Sequence, residues 1–590
     1  MIRSFFCAFS ALLLSSAAFA AEEPASKPVD LNAPIVPAPT QLPAATPGSA
    51  GAQGSDLPPA EWNAEDWDVQ KPQLNLLELD GYFRLRPDLI FNGHLANDVP
   101  GINIRRTDTT SAGRDATVAG ANMRLRVTPT LNITEDIQLV ATFDVFDNVV
   151  LGSTANSVNR GGPVVNVLEV GQASPNAGWN ALRDVIQVRR VYAKVATPIG
   201  ELRFGRQPNR WGLGMYANEG DCIDCDHGDN VDRISFVGML GSYYIVPMID
   251  YMSEGPTTLS NAQPYGQARD LDQLDDATQL SLQVAKKDAP EDVKEMLERG
   301  EVVFNWGLWN MFRFQARENP RYFINPTTPF DPNNPDTVIT RQARDSFAYV
   351  VDGWLKLQYK KFSFELEALF LYAHFLLPSG NDPTSVTSVI PDDLCSDARP
   401  PPCMTRNRAY QWGAALDARY DILPELYVRL RAGIASGDDS PGFGIGQDAY
   451  NKRGDIRGIN DTTINNFQFN RDYRVDLILF RELLGTVSGA WYIKPEVSYT
   501  FGNGLGGRFA PIYAQALYGS STPGGRSPIG FELDFEAFYN PLKNKGFDAS
   551  IQYGLFLPLD MALRNPTPNA QGLQTPGFAH RVLGRLSVQF

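Results

Sequence analysis

Short segments in which apolar and polar residues alternate recur along most of this chain, and they constrain its fold more than any other feature. We count eighteen such segments, for example MRLRVTP at 123–129, LYVRLRAGIA at 426–435 and FELDFEAFYN at 531–540. A period of two residues is typical of a β-strand with one apolar and one polar face. After residue 20, the most apolar stretch is ALFLYAHFLLP at 368–378, which is shorter than the roughly 18 residues that a membrane helix needs. Any membrane crossing by the chain after residue 20 must therefore use strands.

The chain ends on an aromatic residue at the tip of one such segment. In RVLGRLSVQF the alternate positions are small or apolar, and the last residue is Phe590. This ending resembles the closing strand of bacterial outer-membrane β-barrels, in which a terminal Phe is the assembly signal. The resemblance implies an all-β fold, a single transmembrane antiparallel β-barrel of about 18 strands, with outer-membrane lipid and the barrel-assembly machinery as partners. Taken alone, the ending also fits an edge strand of a soluble sheet.

The connections between the segments alternate between short and long. TPIG at 197–200 and GTVSGA at 485–490 are short, whereas 208–231, 436–466 and 502–528 are long; YRVDLILF at 473–480 counts as a strand in this scheme. Outer-membrane barrels have short periplasmic turns and long extracellular loops. The scheme predicts nine long extracellular loops and both termini on the periplasmic side. The short side also carries APEDVKEMLERG at 289–300, which predicts a helix.

The first 75 residues predict export and a periplasmic extension. Residues 1–20 carry Arg3, an apolar run and the A-x-A site Ala18-Phe19-Ala20, which is the pattern of a secretory signal peptide. Residues 21–75 are rich in Pro, Ala, Gly and Ser, a composition typical of an extended, solvated segment. We therefore assign 1–20 to a signal peptide, 21–75 to a periplasmic segment and 76–590 to the barrel.

Charge limits the class of partner. The chain has 52 Lys and Arg against 67 Asp and Glu, a formal net charge of −15, without a basic cluster. Nucleic-acid binding depends on neutralising phosphates with basic side chains, so a nucleic-acid partner is not expected.

Charged residues occupy the positions that alternate with the apolar ones. Placing Arg or Lys at the lipid midplane costs about 2–4 kcal/mol, so these side chains must face the lumen. The predicted pore-lining residues are Arg84, Arg86, Arg124, Arg126, Arg203, Arg206, Arg429, Arg431, Glu365, Glu367, Glu532, Asp534 and Glu536. An arginine-rich wall opposite an acidic one would produce a transverse field. The lumen is either an aqueous channel, open or narrowed by loops, or is blocked by the loops or by residues 21–70.

The run ELRFGRQPNRWGLGMY at 201–216 carries a further resemblance. Gly205-Arg206-Gln207 is similar to the G-R-Q element of sugar-, phosphate- and alginate-type outer-membrane channels. The whole run resembles an uncharacterised family of large outer-membrane barrels. Only Arg206 is carried over from this resemblance, as a candidate pore residue; a strand end with an interfacial Trp is the alternative interpretation.

Cys7 lies in the predicted signal peptide, and the other four cysteines lie in predicted extracellular loops, as Cys222/Cys225 and Cys395/Cys403. Disulfides are the default in an exported protein, and we favour Cys395–Cys403, with Cys222–Cys225 as a second bond. The aspartates around Cys222 and Cys225 also allow a zinc or calcium site, although the ligand spacing of neither is complete. We predict no metal and no cofactor.

The function predicted from these features is a porin-like passive channel for small hydrophilic solutes. The chain has four histidines and no G-x-S-x-G element, so an enzyme is not expected. The alternatives are a closed structural or surface-interaction barrel that displays its long loops, a barrel-wall hydrolase, and a polysaccharide exporter. The sequence does not predict an oligomeric state.

Overall fold

The computed structural model describes residues 76–93, 95, 117–152, 171–172, 185–254, 273–317, 343–378, 404–439, 463–541, 546–559, 562–563 and 577–590. The predicted signal peptide, the 21–75 segment and the pair Cys395/Cys403 lie outside these residues.

Strands make up most of the described chain, together with one α-helix. They are β1 Leu77–Phe91, β2 Thr117–Thr134, β3 Ile137–Val150, β4 Ile186–Thr197, β5 Gly200–Pro208, β6 Asn230–Leu240, β7 Tyr243–Ser253, β8 Ala277–Lys286, α1 Pro290–Glu298, β9 Val302–Arg317, β10 Ala343–Tyr359, β11 Phe362–Pro378, β12 Met404–Leu423, β13 Leu426–Ala435, β14 Thr463–Ile464, β15 Ala490–Thr500, β16 Leu505–Ala516, β17 Pro528–Tyr539, β18 Gly546–Pro558 and β19 Ala579–Gln589.

Eighteen of these strands form a closed antiparallel barrel. Each of β1 to β13 and β15 to β19 pairs with its neighbours in chain order, and β1 closes the sheet by pairing with β19. At the seam, Phe91 lies opposite His580 and Tyr82 lies opposite Gln589. Closure leaves no sheet edge unpaired, which is the condition for a strand-built membrane span. The predicted fold class is confirmed.

Two of the predicted strand positions were wrong, and the errors cancel in the strand count. Residues 473–480 do not belong to the wall; they lie in the connection between β13 and β15 and lead into a π-helical turn at Leu479–Leu483. The missing wall strand is β16, which we had placed inside a long loop. Its sequence LGGRFAPIYAQA is rich in Gly and Ala, so its alternation is weak. The run YRVDLILF alternates clearly but buries both of its faces.

The two faces of the barrel follow the alternation. Large apolar side chains such as Phe83, Phe204, Phe535 and Ile551 are exposed on the outer face. Aromatic residues gather there in pairs, including Phe509 with Phe535 and Tyr513 with Phe531. The inner face carries most of the charged residues, but it also has an apolar part that the sequence analysis did not predict. Trp309, Met311 and Val350 point inward and are completely buried.

Short connections lie at one rim of the barrel and long ones at the other. The predicted helix in the β8–β9 connection is present as α1, and none of its side chains is buried. Among the described residues, no helix is long and apolar enough to span a membrane.

Two of the longer connections turn inward and fill part of the lumen. We call residues 209–229, between β5 and β6, the first inward segment. Residues 463–489, between β13 and β15, are the second inward segment, and they include β14, which pairs in parallel with Arg408 and Ala409 of β12. Both segments pack apolar side chains against inward-facing wall residues, for example Trp211 against Trp309 and Phe480 against Tyr492. Burying such a side chain contributes about 1.5–3 kcal/mol, so this packing holds the segments inside.

Candidate functional site

The first inward segment is a compact loop whose two ends are bonded together. The N–H of Asn209 donates to the carbonyl of Asp229, and the N–H of Asp229 donates to the carbonyl of Asn218, at 3.1 and 2.7 Å. Gly228 adopts a positive φ of 75°, and a Cβ there would collide with the carbonyl of Glu219. Glycine is therefore required where the two arms of the loop meet.

Cys222 and Cys225 form a disulfide within the first inward segment. The bond closes a four-residue turn in which the N–H of Cys225 also donates to the carbonyl of Cys222, at 3.0 Å. Three of the nearby aspartates that had suggested a metal site, Asp221, Asp224 and Asp226, are instead paired with arginines. Asp221 lies 2.7 Å from Arg190, and Asp224 lies 2.8 Å from Arg86. Among the residues that the structure describes, no group of His, Cys, Asp or Glu has an arrangement suited to a metal ion.

Arginines of the wall bind the backbone of the first inward segment. Arg84 donates to the carbonyl of Ile223 at 2.6 Å, and Arg124 donates to that of Cys225 at 2.7 Å. Arg126 donates to the carbonyl of Gly220 at 2.7 Å, and Arg190 to that of Glu219 at 2.5 Å. These side chains point inward as predicted, but the segment covers them. Arg84 and Arg124 are fully buried, so their prediction as pore-lining residues is corrected: they anchor a loop.

Acidic wall residues bind the backbone N–H groups of the inward segments. Glu367 accepts from Met215 and Tyr216, both at 3.2 Å. Gly212 makes this approach possible, because a Cβ there would lie 2.7 Å from the Glu367 carboxylate. Glu532 accepts from three consecutive residues, Leu477, Ile478 and Leu479, at 2.7–2.9 Å. Both carboxylates are buried, so their prediction as pore-lining groups is also corrected.

The other predicted acidic residues are paired within the wall. Glu365 accepts from the indole N–H of Trp354 at 2.7 Å. Asp534 lies 3.7 Å from Lys494, and Glu536 lies 3.1 Å from Arg508. The expected field between an arginine wall and an acidic wall is therefore replaced largely by local charge pairing.

The remaining predicted arginines differ in where they lie. Arg429 pairs with Asp417, and Arg431 lies 3.2 Å from Glu496, both on the inner face. Arg203 is inward and pairs with Glu201 of the same strand.

Arg206 does not face the lumen. It shares a strand face with the outward Leu202 and Phe204, and its guanidinium is bonded to Asp232 at 2.6 Å, with about half of its side chain exposed. The alternation of β5 places Arg206 on the outer face, but the residue also borders a polar cavity at the rim, so its role as a pore residue stays a prediction.

The two inward segments are joined to each other by charged groups. Asp472 accepts the N–H groups of Asp226, His227 and Gly228. Arg474 lies 2.8 Å from Asp226, and Arg481 lies 2.5 Å from Asp224. Burial alone would raise the pKa of Asp224, but Arg481 and Arg86 hold it well below its usual range. The sequence analysis missed Asp472, Arg474 and Arg481. Their signal was the run RDYRVDLILFREL, in which charges interrupt an apolar stretch.

Two polar cavities remain beside the joined segments. The inner chamber has a volume of about 580 Å³ and is lined by Arg86, Asp147, Asn148, Arg189, Asp226, His227, Gly228, Arg474, Arg481 and Glu482. The rim chamber has a volume of about 700 Å³ and includes Asn209, Tyr216, Asp229, Arg313 and Asn470 in its lining. Arg189 and Gly228 line both chambers.

Two histidines that could have served a barrel-wall hydrolase lie on the outer face. His580 is bonded to the hydroxyl of Tyr553 at 2.8 Å, and His374 packs near Phe347 and Tyr372. His227 lines the inner chamber.

A closed barrel of eighteen antiparallel strands, apolar outside and charged inside, defines the class of outer-membrane porin-type β-barrels. Among solved structures, the chain resembles OccK8 (OprE) of Pseudomonas aeruginosa, with a TM-score of 0.39 and 10% identity over 87% of this chain and 98% of that one. It also resembles a BenF-like porin from Pseudomonas fluorescens Pf-5, at a TM-score of 0.39 and 9% identity over 87% and 99% of the two chains. The outer membrane channel DcaP of Acinetobacter baumannii matches at a TM-score of 0.35 and 9% identity over 87% and 97%. No family model and no curated protein matches the chain. The fold class therefore rests on the strand pairing of the chain itself.

Proposed function

We propose that the protein is a porin-like channel of a bacterial outer membrane, through which small hydrophilic solutes diffuse passively. In this proposal residues 1–20 direct export, residues 21–75 form a periplasmic segment, residues 76–590 form the barrel, and the protein is not an enzyme. The observation that carries the proposal is the pair of polar chambers that share Arg189 in their lining inside a closed barrel.

Arginines around the inner chamber are the proposed selectivity element. Four arginines line it against three carboxylates, from Asp147, Asp226 and Glu482. Rings of basic residues favour anions in a pore. The proposal therefore moves the selectivity element away from Arg124 and Arg126, which are not part of the chamber lining, to the chamber residues Arg86, Arg189, Arg474 and Arg481.

Conductance in planar bilayers tests this function. The folded protein should give stepwise currents with a reversal potential that indicates a preference for anions. Arg189→Gln removes one positive charge from the lining that the two chambers share and should shift the reversal potential toward cations. Arg406→Gln is the matched control, since Arg406 is about half exposed, also pairs with an aspartate and is not part of the lining of either chamber, so selectivity should stay unchanged. Equal shifts from both variants would contradict the assignment of Arg189.

A closed surface-interaction barrel remains the second candidate. The observation that favours it is the packing of both inward segments against the wall, in a cluster that includes Trp211, Phe467 and Leu483. Folded protein that stays silent in the bilayer would support this candidate and exclude the channel.

A further inference from the structure

The carboxylate of Asp472 accepts hydrogen bonds from three consecutive backbone N–H groups. It accepts from the N–H of Asp226 at 2.9 Å, of His227 at 3.0 Å and of Gly228 at 2.5 Å, and the Asp472 side chain is fully buried. Successive N–H groups that converge in this way form a concave binding site for anions. Asp472 belongs to the second inward segment and the amides belong to the first, so the occupant of the site comes from a different loop.

The same amides border the inner chamber. Asp226, His227, Gly228 and Arg474 all contribute to its lining. Arg474 lies 3.4 Å from Asp472, its side chain is only 6% exposed, and its Nε has no hydrogen-bond partner among the described residues. A solute in the chamber therefore lies next to the anion site and next to an unused donor.

Asp472 is also part of what holds the second inward segment in place. Its own N–H donates to the side chain of Asn470, and that side chain donates to Asp229 at 2.6 Å. The N–H of Asn470 donates to the carbonyl of Met215 at 2.7 Å. Loss of the Asp472 contact would remove three charge-assisted hydrogen bonds from this joint, which the ion pairs Arg474–Asp226 and Arg481–Asp224 also hold.

We infer that the amides of residues 226–228 form an oxyanion site whose resting occupant is the chain's own Asp472, and that a small oxyanion in the inner chamber exchanges with it and releases the second inward segment. The inference rests on the proposed channel function, because release widens the path only if solutes pass through the lumen. The tether gives the Asp472 carboxylate an effective concentration on the order of millimolar or above. Exchange therefore requires a solute at comparable concentration, or one that gains further contacts with the chamber arginines.

Asp472→Asn tests whether Asp472 holds the second inward segment in place, because the substitution removes the negative charge and keeps the shape of the side chain. In planar bilayers this variant should spend roughly tenfold more time in its higher-conductance state than the unmodified protein, a change that corresponds to about 1.4 kcal/mol. Asp345→Asn is the matched control, because Asp345 is an exposed carboxylate that also pairs with an arginine and is not part of the lining of either chamber. This variant should leave the time spent in the higher-conductance state unchanged.

Amide hydrogen exchange measured in the presence of sodium acetate tests, without any mutation, whether an oxyanion can replace Asp472. Acetate carries the same chemical group as Asp472. In the unmodified protein, tens of millimolar acetate should speed amide exchange in residues 470–489 several-fold while residues 226–228 stay protected, and sodium chloride at equal ionic strength should not. In Asp472→Asn, acetate should protect residues 226–228 and have no further effect on 470–489.

The outcomes separate the two proposals. Equal currents in the unmodified protein and in Asp472→Asn would contradict the proposed role of Asp472 and would leave the channel proposal unaffected. Silent bilayers from both folded proteins would overturn the channel. Absence of an acetate effect on residues 470–489 would overturn the oxyanion exchange, whether or not Asp472→Asn folds.

Discussion

Arg481 and Asp224 form a bidentate ion pair inside the barrel, with nitrogen to oxygen distances of 2.5 and 3.1 Å. The two residues are 257 positions apart in the sequence, and they belong to the second and the first inward segment. Both side chains are almost completely buried. Paired charges of this geometry are strong and directional. The two segments are therefore one unit of structure in the lumen, although the chain builds them far apart.

Arg481→Ala should loosen this unit. Removing one partner of a buried ion pair leaves an uncompensated charge, at a cost of about 3–5 kcal/mol. Hydrogen exchange should become faster in residues 470–489 while the wall strands remain protected. Arg299→Ala, at the exposed end of α1, removes a surface pair and should have no such effect. Unchanged exchange in Arg481→Ala would mean that apolar packing alone holds the segment.

Phe590 should be required for assembly of the barrel. Its N–H and carbonyl are bonded to the carbonyl and N–H of Gly81, both at 3.0 Å, and its ring lies over Gly81. Deleting Phe590, or replacing it with Ser, should lower the amount of heat-modifiable barrel in outer-membrane fractions. Phe547→Ser is the control, since Phe547 is an equally exposed aromatic of the neighbouring strand β18. Normal membrane levels without Phe590 would refute its role as an assembly signal.

The disulfide pattern can be read by mass spectrometry of unreduced protein. We expect one peptide that links Cys222 to Cys225, as the structure places them, and another that links Cys395 to Cys403. The second bond remains a prediction from sequence. Free thiols together with stoichiometric zinc would support the metal alternative. In Cys222→Ser/Cys225→Ser, the barrel should still form, and exchange should rise in the turn whose carbonyls bind Arg84 and Arg124.

The second inward segment should become less stable as the pH rises. Burial raises the pKa of Asp476 to about 7; the N–H of Phe480 opposes this shift and the Asp534 carboxylate adds to it. Because the folded-state pKa lies above the ordinary value of 3.8, the folded segment binds the proton more tightly than a released one. The resulting stabilisation is complete below the ordinary pKa and is lost as the pH rises through about 7.

Exchange rates of residues 476–484, corrected for intrinsic chemistry, should therefore increase between about pH 5 and pH 8. Asp476→Asn cannot ionise and should flatten this dependence. A slope that persists in the variant would assign the effect to another group, of which Glu532 and Lys494 are the nearest candidates.

The outer surface of the barrel follows from local sequence. In segments such as MRLRV and FELDFEAF the side-chain direction reverses at every residue, so the sequence alone indicates which residues meet lipid and which point inward. The closing strand at Phe590 could be derived in the same way, whereas the predicted number of strands was correct only because two errors cancelled. Alternation by itself is not sufficient, because it predicted 473–480 as a wall strand and missed β16. A clear alternation is also compatible with a segment buried on both sides, and a strand rich in Gly and Ala shows little alternation.

The roles of the inward residues were decided by tertiary structure. Alternation places Arg84, Arg124, Glu367 and Glu532 on the inner face, but it cannot indicate whether water or a loop lies against them. The backbone of an inward segment has N–H and carbonyl groups that must be bonded once they leave water, and the wall charges satisfy them. Several of those contacts join residues far apart in sequence, such as Glu532 with Leu477 at 55 positions and Glu367 with Met215 at 152 positions. Only the folded chain brings them together.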